Sequence, residues 1–168
     1  MKGRVLSNKA LIGIAGVHYV VSELSRHGIV ALPTIKNTPA YDIVAVNQEG
    51  TRHANIQVKA SSKKVSFFPM PSAERVRTGR QDFYVFVRWL EEDKRYQGFL
   101  LRGKQAKLAV EEACSGQRKR MRIKGGTRTK LFPNVKVQDG KQLSKSAKRW
   151  EKAWENWGKR FSQRESRR

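Results

Sequence analysis

The run Phe83-Tyr84-Val85-Phe86-Val87 constrains this chain most. Side chains on a strand alternate between two faces, and here both faces are apolar. A strand of that kind is stable only inside a sheet that is covered on both sides. The run therefore predicts a central strand over Asp82–Leu90. Glu91–Lys94 reads as a turn and Tyr96–Leu101 as the returning strand.

The rest of the chain supplies partners for that strand. Ala10–His27 has helical spacing, with Gly13, Val17, Val20, Val21 and Leu24 on one face. His27-Gly28 supplies its stop, since glycine tolerates the left-handed position after a helix. Gly13 and Gly16 would let a neighbour approach closely. Ile29–Leu32 reads as a short strand ended by Pro33, and Asn37-Thr38-Pro39 as a loop. Tyr41–Val46 and Arg52–Ala60 flank Gln48-Glu49-Gly50 and read as a hairpin. Ser61–Arg80, with Pro69 and Pro71, reads as irregular. Gln105–Cys114 reads as a second helix, Arg118–Lys130 as a loop or irregular hairpin, and Leu143–Phe161 as a final helix. The order predicts an α/β fold with a mixed central β-sheet flanked by helices. Residues 1–116 form the expected core, and 117–168 a basic C-terminal extension packed on it.

Charge narrows the partner. The 168 residues carry 36 Lys and Arg against 14 Asp and Glu, a net +22. Residues 117–168 hold 18 basic and 4 acidic residues, so most of the excess lies in the last third. A compact chain with that surplus repels itself and is relieved by a polyanion. Nucleic acid, an anionic membrane surface and an acidic protein all qualify, and nucleic acid is the commonest of the three. The single cysteine, Cys114, excludes an internal disulfide and fits a reducing cytoplasm. The apolar run Leu11–Val21 is too short to span a membrane. It also contains His18 and Tyr19 and lacks a small-residue cleavage site, so no signal peptide is read there.

One constellation carries chemistry. Gln57 and Lys59 lie two apart on one strand and so share a face. The hairpin brings Asp42 toward them. A carboxylate, an amide oxygen and an ammonium then converge. Asp42, helped by Gln57 and a strand carbonyl, would hold Mg²⁺ (or Mn²⁺), a hard cation that keeps several waters. The ion would polarise a phosphodiester and activate water. Lys59 would orient that water or stabilise developing negative charge. Asp at a strand start and Lys on an exposed strand are also common without any function.

The wider segment resembles a known family. Gly13-Ile-Ala-Gly16, Tyr19-Val-Val-Ser-Glu-Leu24, His27-Gly28, Asn37-Thr-Pro-Ala-Tyr-Asp42-Ile-Val and Ile56-Gln-Val-Lys59 together resemble small prokaryotic PD-(D/E)XK nucleases. These belong with the restriction endonucleases and Holliday-junction resolvases. The resemblance covers about residues 10–114. It implies a restriction-endonuclease-like fold and a Mg²⁺-dependent endonuclease that cuts DNA, including branched or structured DNA. It implies that Asp42 is the metal aspartate, Gln57 takes the Glu/Asp place and Lys59 is the motif lysine. It further implies a homodimer and a cytoplasmic protein of prokaryotic or phage origin. One departure stands out: the family's first-helix Glu is Val17 here. Glu23, six residues on, lies about 120° round the helix and does not replace it. Adjacent His18 is a poor Mg²⁺ ligand when neutral. The alternative is therefore a nuclease-fold protein that binds DNA or RNA with impaired or no cutting. A third reading is a basic scaffold whose tail binds another protein.

Phosphate contacts are expected from Lys63, Lys64, Arg75, Arg77, Arg80, Arg118, Lys119, Arg120, Arg122, Lys124, Arg128, Lys130, Lys148, Arg149 and Lys152. In the last helix Leu143, Ala147, Trp150, Trp154, Trp157 and Phe161 recur in a heptad-like stripe. The stripe reads first as a docking face. Its basic flanks remain free for phosphate, and a Trp could stack on a base. Calmodulin-like or membrane-surface binding fits the same pattern without further support. Gly125-Gly126 lacks the context of a phosphate loop. His18, His27 and His53 have no zinc spacing.

Overall fold

A computed structural model describes residues 8–35, 41–123 and 131–162, with side chains omitted over 118–123. In chain order the elements are α1 (Asn8–Arg26), β1 (Val30–Pro33), β2 (Ile43–Val46), β3 (His53–Ser61), β4 (Phe67–Pro69), β5 (Asp82–Leu90), β6 (Arg95–Arg102), α2 (Gly103–Ile123), β7 (Asn134–Lys136), β8 (Gln138–Asp139), β9 (Gln142–Leu143) and α3 (Lys145–Ser162). The main sheet runs β1-β2-β3-β5-β6. Only the β3–β5 pair in it is parallel; its other pairs are antiparallel. This is the mixed α/β sheet that the order of elements predicts.

The apolar run sits where its two-faced pattern requires. Every residue from Asp82 to Arg88 is buried. Phe83, Val85 and Val87 enter one core together with Val20 and Leu24 of α1 and Trp157 and Phe161 of α3. Tyr84 and Phe86 enter a second core with Ala106 and Val110 of α2, Phe68 of β4 and Val135 of β7. The two cores lie on opposite faces of β5, as strand alternation demands.

α1 ends as its sequence specifies. Gly28 adopts φ +72, and its N–H donates to the Ser25 carbonyl at 2.9 Å. Of the two helix glycines expected to allow close approach, Gly16 does so: a Cβ there would stand 2.4 Å from Ala60 Cβ. Gly13 does not. It is exposed, with nothing within 4 Å of such a Cβ, because it lies on the solvent side of α1.

Three expectations need correction. The segment 61–80 is not wholly irregular, since β4 forms and pairs with β7. The second helix does not stop at Cys114 but continues to Ile123. Arg118–Ile123 is therefore helical rather than looped, and residue 116 lies inside α2. Lysine and arginine have good helix propensity, which outweighs their mutual repulsion here. The rest of the expected loop, 124–130, lies outside the described residues, as do Asn37, Thr38 and Pro39.

The aromatic stripe of α3 docks, but across two cores. Ala147 and Trp150 join the second core, while Trp154, Trp157 and Phe161 join the first. α3 thus crosses the edge of the sheet at β6. Gly98 of β6 makes room for it, since a Cβ there would lie 2.5 Å from the Trp154 ring. Ser144 caps the helix, accepting the Ala147 N–H at 3.1 Å.

Candidate active site

β3 has two faces with different surroundings. Ala54, Ile56 and Val58 point into the core beneath α1 and are buried. Asn55, Gln57 and Lys59 alternate with them, so they point to the other face, and all three are half-buried. On that face the second core covers β5 and β6. Toward β1 the cover ends, and Val30 and Leu32 are 50% and 56% exposed. Asn55, Gln57 and Lys59 stand at this boundary between covered and open sheet.

The antiparallel register pairs Ile43 with Ile56. Asp42 lies just before that pair, and its backbone N–H donates to the Ile56 carbonyl at 2.9 Å. Asp42 Oδ2 accepts two hydrogen bonds of 2.7 Å, from Gln57 Nε2 and from the Val58 backbone N–H. Asp42 and Gln57 are therefore brought together as the sequence predicts, and Lys59 lies on the same face. No ion pair or hydrogen bond involves the Lys59 side chain among the described residues. Its ammonium remains available to an incoming anion.

A second polar cluster adjoins this one. Asp82 is 8% exposed. Its carboxylate accepts from Tyr41 Oη at 3.1 Å, Asn55 Nδ2 at 3.3 Å and the Gly79 N–H at 2.9 Å. Arg77 Nη1 donates to Tyr41 Oη at 3.2 Å, and its guanidinium lies 5.0 Å from the Tyr41 ring centre. Tyr84 Oη accepts the Arg77 backbone N–H at 3.0 Å. Burial pushes the Tyr84 hydroxyl above the usual tyrosine value. That hydrogen bond opposes the shift, and the Asp82 carboxylate adds to it. These residues fix the strand and the loop that flank Asp42. The parallel register sets Asp82 beside Asn55 and Tyr84 beside Gln57. Asn55 has the parity of Gln57 and Lys59, which is the sequence signal that could have found it. Asp82 carries no such signal, because the β3–β5 pairing is not local.

The donor set can be tested against a divalent cation. Among the described residues no group of three His, Cys, Asp or Glu side chains converges. Asp42 is the carboxylate at the site, and both bonds it accepts fall on Oδ2. Among the described residues Oδ1 accepts no hydrogen bond. That meets the modest demand of Mg²⁺, which binds through one or two carboxylates together with water and substrate phosphate. Val17, where the resemblance would put a Glu, packs against the core under α1. Its neighbour His18 is exposed.

The expected basic residues fall into four groups. Lys63, Lys64, Arg75, Arg77 and Arg80 are exposed on the connection between β3 and β5. Lys64 also faces Glu92 at 3.8 Å. Lys148, Arg149 and Lys152 are exposed on α3. Arg118, Lys119, Arg120 and Arg122 belong to the last turns of α2, and their side chains are outside the described set. Lys124, Arg128 and Lys130 lie outside the described residues altogether. His27 is packed against Gly158, and Cys114 is half-buried beside the second core. Neither acts at the site. No helix among the described residues is long and apolar enough to cross a membrane.

No protein-family model matches the sequence, and no curated protein matches it. Among solved structures the chain is similar to a bacterial homing endonuclease, with 16% identity and a TM-score of 0.49, over 92% of this chain and 94% of that one. It is also similar to the Holliday junction resolvase of Archaeoglobus fulgidus, an archaeal hyperthermophile. That likeness has 17% identity and a TM-score of 0.39, over 71% of this chain and 86% of the other.

Proposed function

We propose that this protein is a metal-dependent endonuclease that cuts DNA at the Asp42 side of β3. The observation that carries the reading is the pairing of Asp42 with Gln57 on a half-open sheet face that also bears Lys59, which makes no ion pair among the described residues. In this reading Asp42 Oδ1 and the Gln57 amide hold Mg²⁺ or Mn²⁺. The bound ion supplies Lewis-acid polarisation of the phosphate and a more acidic water. Gln57 and the Val58 N–H hold the Asp42 carboxylate in place from its other oxygen. Lys59 binds the phosphate next to the scissile bond and stabilises the charge that develops on it. The surrounding basic residues hold the DNA backbone, and cutting both strands takes two copies of the chain.

The second reading, a nucleic-acid binder that does not cut, is favoured by the lack of a three-ligand His, Cys, Asp or Glu cluster among the described residues and by the apolar role of Val17. Nicking of a supercoiled plasmid and a four-way junction in Mg²⁺ or Mn²⁺ separates the two. The nuclease reading expects nicking by wild type that disappears in Asp42→Asn and Lys59→Ala, with DNA binding retained. Salt-sensitive binding without nicking by wild type would leave the binder.

A further inference from the structure

On the face of the sheet opposite Asp42 a cleft of about 650 Å³ opens between the start of β3, the start of β5 and the C-terminal end of α3. It continues into a second cleft of about 220 Å³, which shares Arg52, Phe83, Arg102, Trp157 and Phe161. Arg80 lines the first part and Arg160 the second. Among the described residues no Asp or Glu lines either part.

The four arginines are not spent on carboxylates. None of them makes an ion pair among the described residues. Arg52 is held by α3: its Nη1 donates to the Phe161 carbonyl at 2.6 Å, and its guanidinium lies 4.6 Å from the Phe161 ring centre. Arg102 lies over the Phe83 ring at 5.3 Å. A ring beneath a guanidinium restrains it and leaves its N–H edge directed outward. Arg80, Arg102 and Arg160 are exposed. Four like charges round one groove repel each other, and an anion must supply the compensation.

We infer that this groove is a second nucleic-acid-binding surface, which grips backbone phosphates apart from the Asp42 site. Four guanidiniums spread over two connected clefts exceed what one phosphate needs and fit successive phosphates of a strand. Phe83 belongs to the groove, while its neighbours Asp82 and Tyr84 face the Asp42 side. Arg80 and Gln81 stand at the end of the sheet between the two. DNA held in the groove therefore approaches the Asp42 side round that end. The inference shares the nucleic-acid partner of the proposed function but does not require cutting.

The test is binding of a fluorescein-labelled 20-base-pair duplex in EDTA across a series of salt concentrations. Arg80→Gln/Arg102→Gln/Arg160→Gln is compared with Lys9→Gln/Arg95→Gln/Lys141→Gln, which removes the same charge elsewhere. The groove variant should bind at least ~10-fold more weakly than the control. Its slope of log K against log salt should be shallower by about 0.9 for each phosphate that is no longer neutralised. Equal affinity and slope in the two variants would overturn the inference. If the groove variant misfolds by circular dichroism, phenylglyoxal footprinting of wild type decides. The duplex should protect Arg80, Arg102 and Arg160, and unprotected arginines would refute the groove. Binding is read in EDTA, where metal-dependent cutting does not occur. Failure to cut and failure to bind in the groove are thus read separately.

Discussion

Ile56 and Gln57 are neighbours in sequence on β3, yet they belong to different parts of the molecule. Ile56 is fully buried beneath α1. Gln57 faces the other way, toward an open boundary, and hydrogen-bonds Asp42. The difference shows how one strand carries both stability and chemistry: alternate positions are assigned to each by the pleat. Substitutions on one parity should change folding free energy, and those on the other should change function.

Ile56→Ala should give the largest stability loss, about 2–5 kcal/mol by urea denaturation, because no neighbour can fill the space. Gln57→Ala next to it should cost about 1 kcal/mol or less while weakening cleavage. Equal stability losses at the two positions would break the comparison. Arg88 tests the covered part of the second face. It is 2% exposed and donates to Gln97 Oε1, the Val65 carbonyl and Gln138 Oε1. Arg88→Ala leaves two buried acceptors and one part-buried one without that donor and should cost about 3 kcal/mol.

Tyr84→Phe removes one hydrogen bond, to the Arg77 N–H, and should cost about 1 kcal/mol. It should also alter alkaline behaviour. Burial raises the Tyr84 and Tyr19 hydroxyls above their usual 10.0. Above pH 10 the unfolded chain then loses protons that the folded chain keeps, so stability falls as pH rises through the folded values. Tyr19→Phe/Tyr84→Phe should flatten that fall in urea melts between pH 9 and about pH 11. An unchanged pH slope would sever the link to these two groups.

How much of the molecule is legible in its sequence follows from range. The pleat of β3, the hairpin and the two-faced β5 are local patterns, so residue spacing alone sets Gln57 and Lys59 on one face and brings Asp42 toward Gln57. The cluster of Asp82, Tyr41 and Asn55 depends on the parallel β3–β5 register, which no local pattern encodes. β4 and β7 are three-residue strands far apart in sequence, and Pro69 and Pro133 give both the look of loop. The heptad-like stripe of α3 shows that the helix docks. It does not show that Trp150 and Trp157 enter separate cores, which depends on α3 crossing the sheet edge.

The most direct test is single-turnover nicking of supercoiled plasmid in Mg²⁺ at saturating protein, with wild type, Asp42→Asn and Arg80→Gln/Arg102→Gln/Arg160→Gln side by side. The account predicts that Asp42→Asn binds but cleaves at least ~100-fold more slowly. It predicts that the groove variant, once saturated, nicks at close to the wild-type rate. Metal-dependent nicking that survives Asp42→Asn would contradict the assignment of the β3 face as the cutting site.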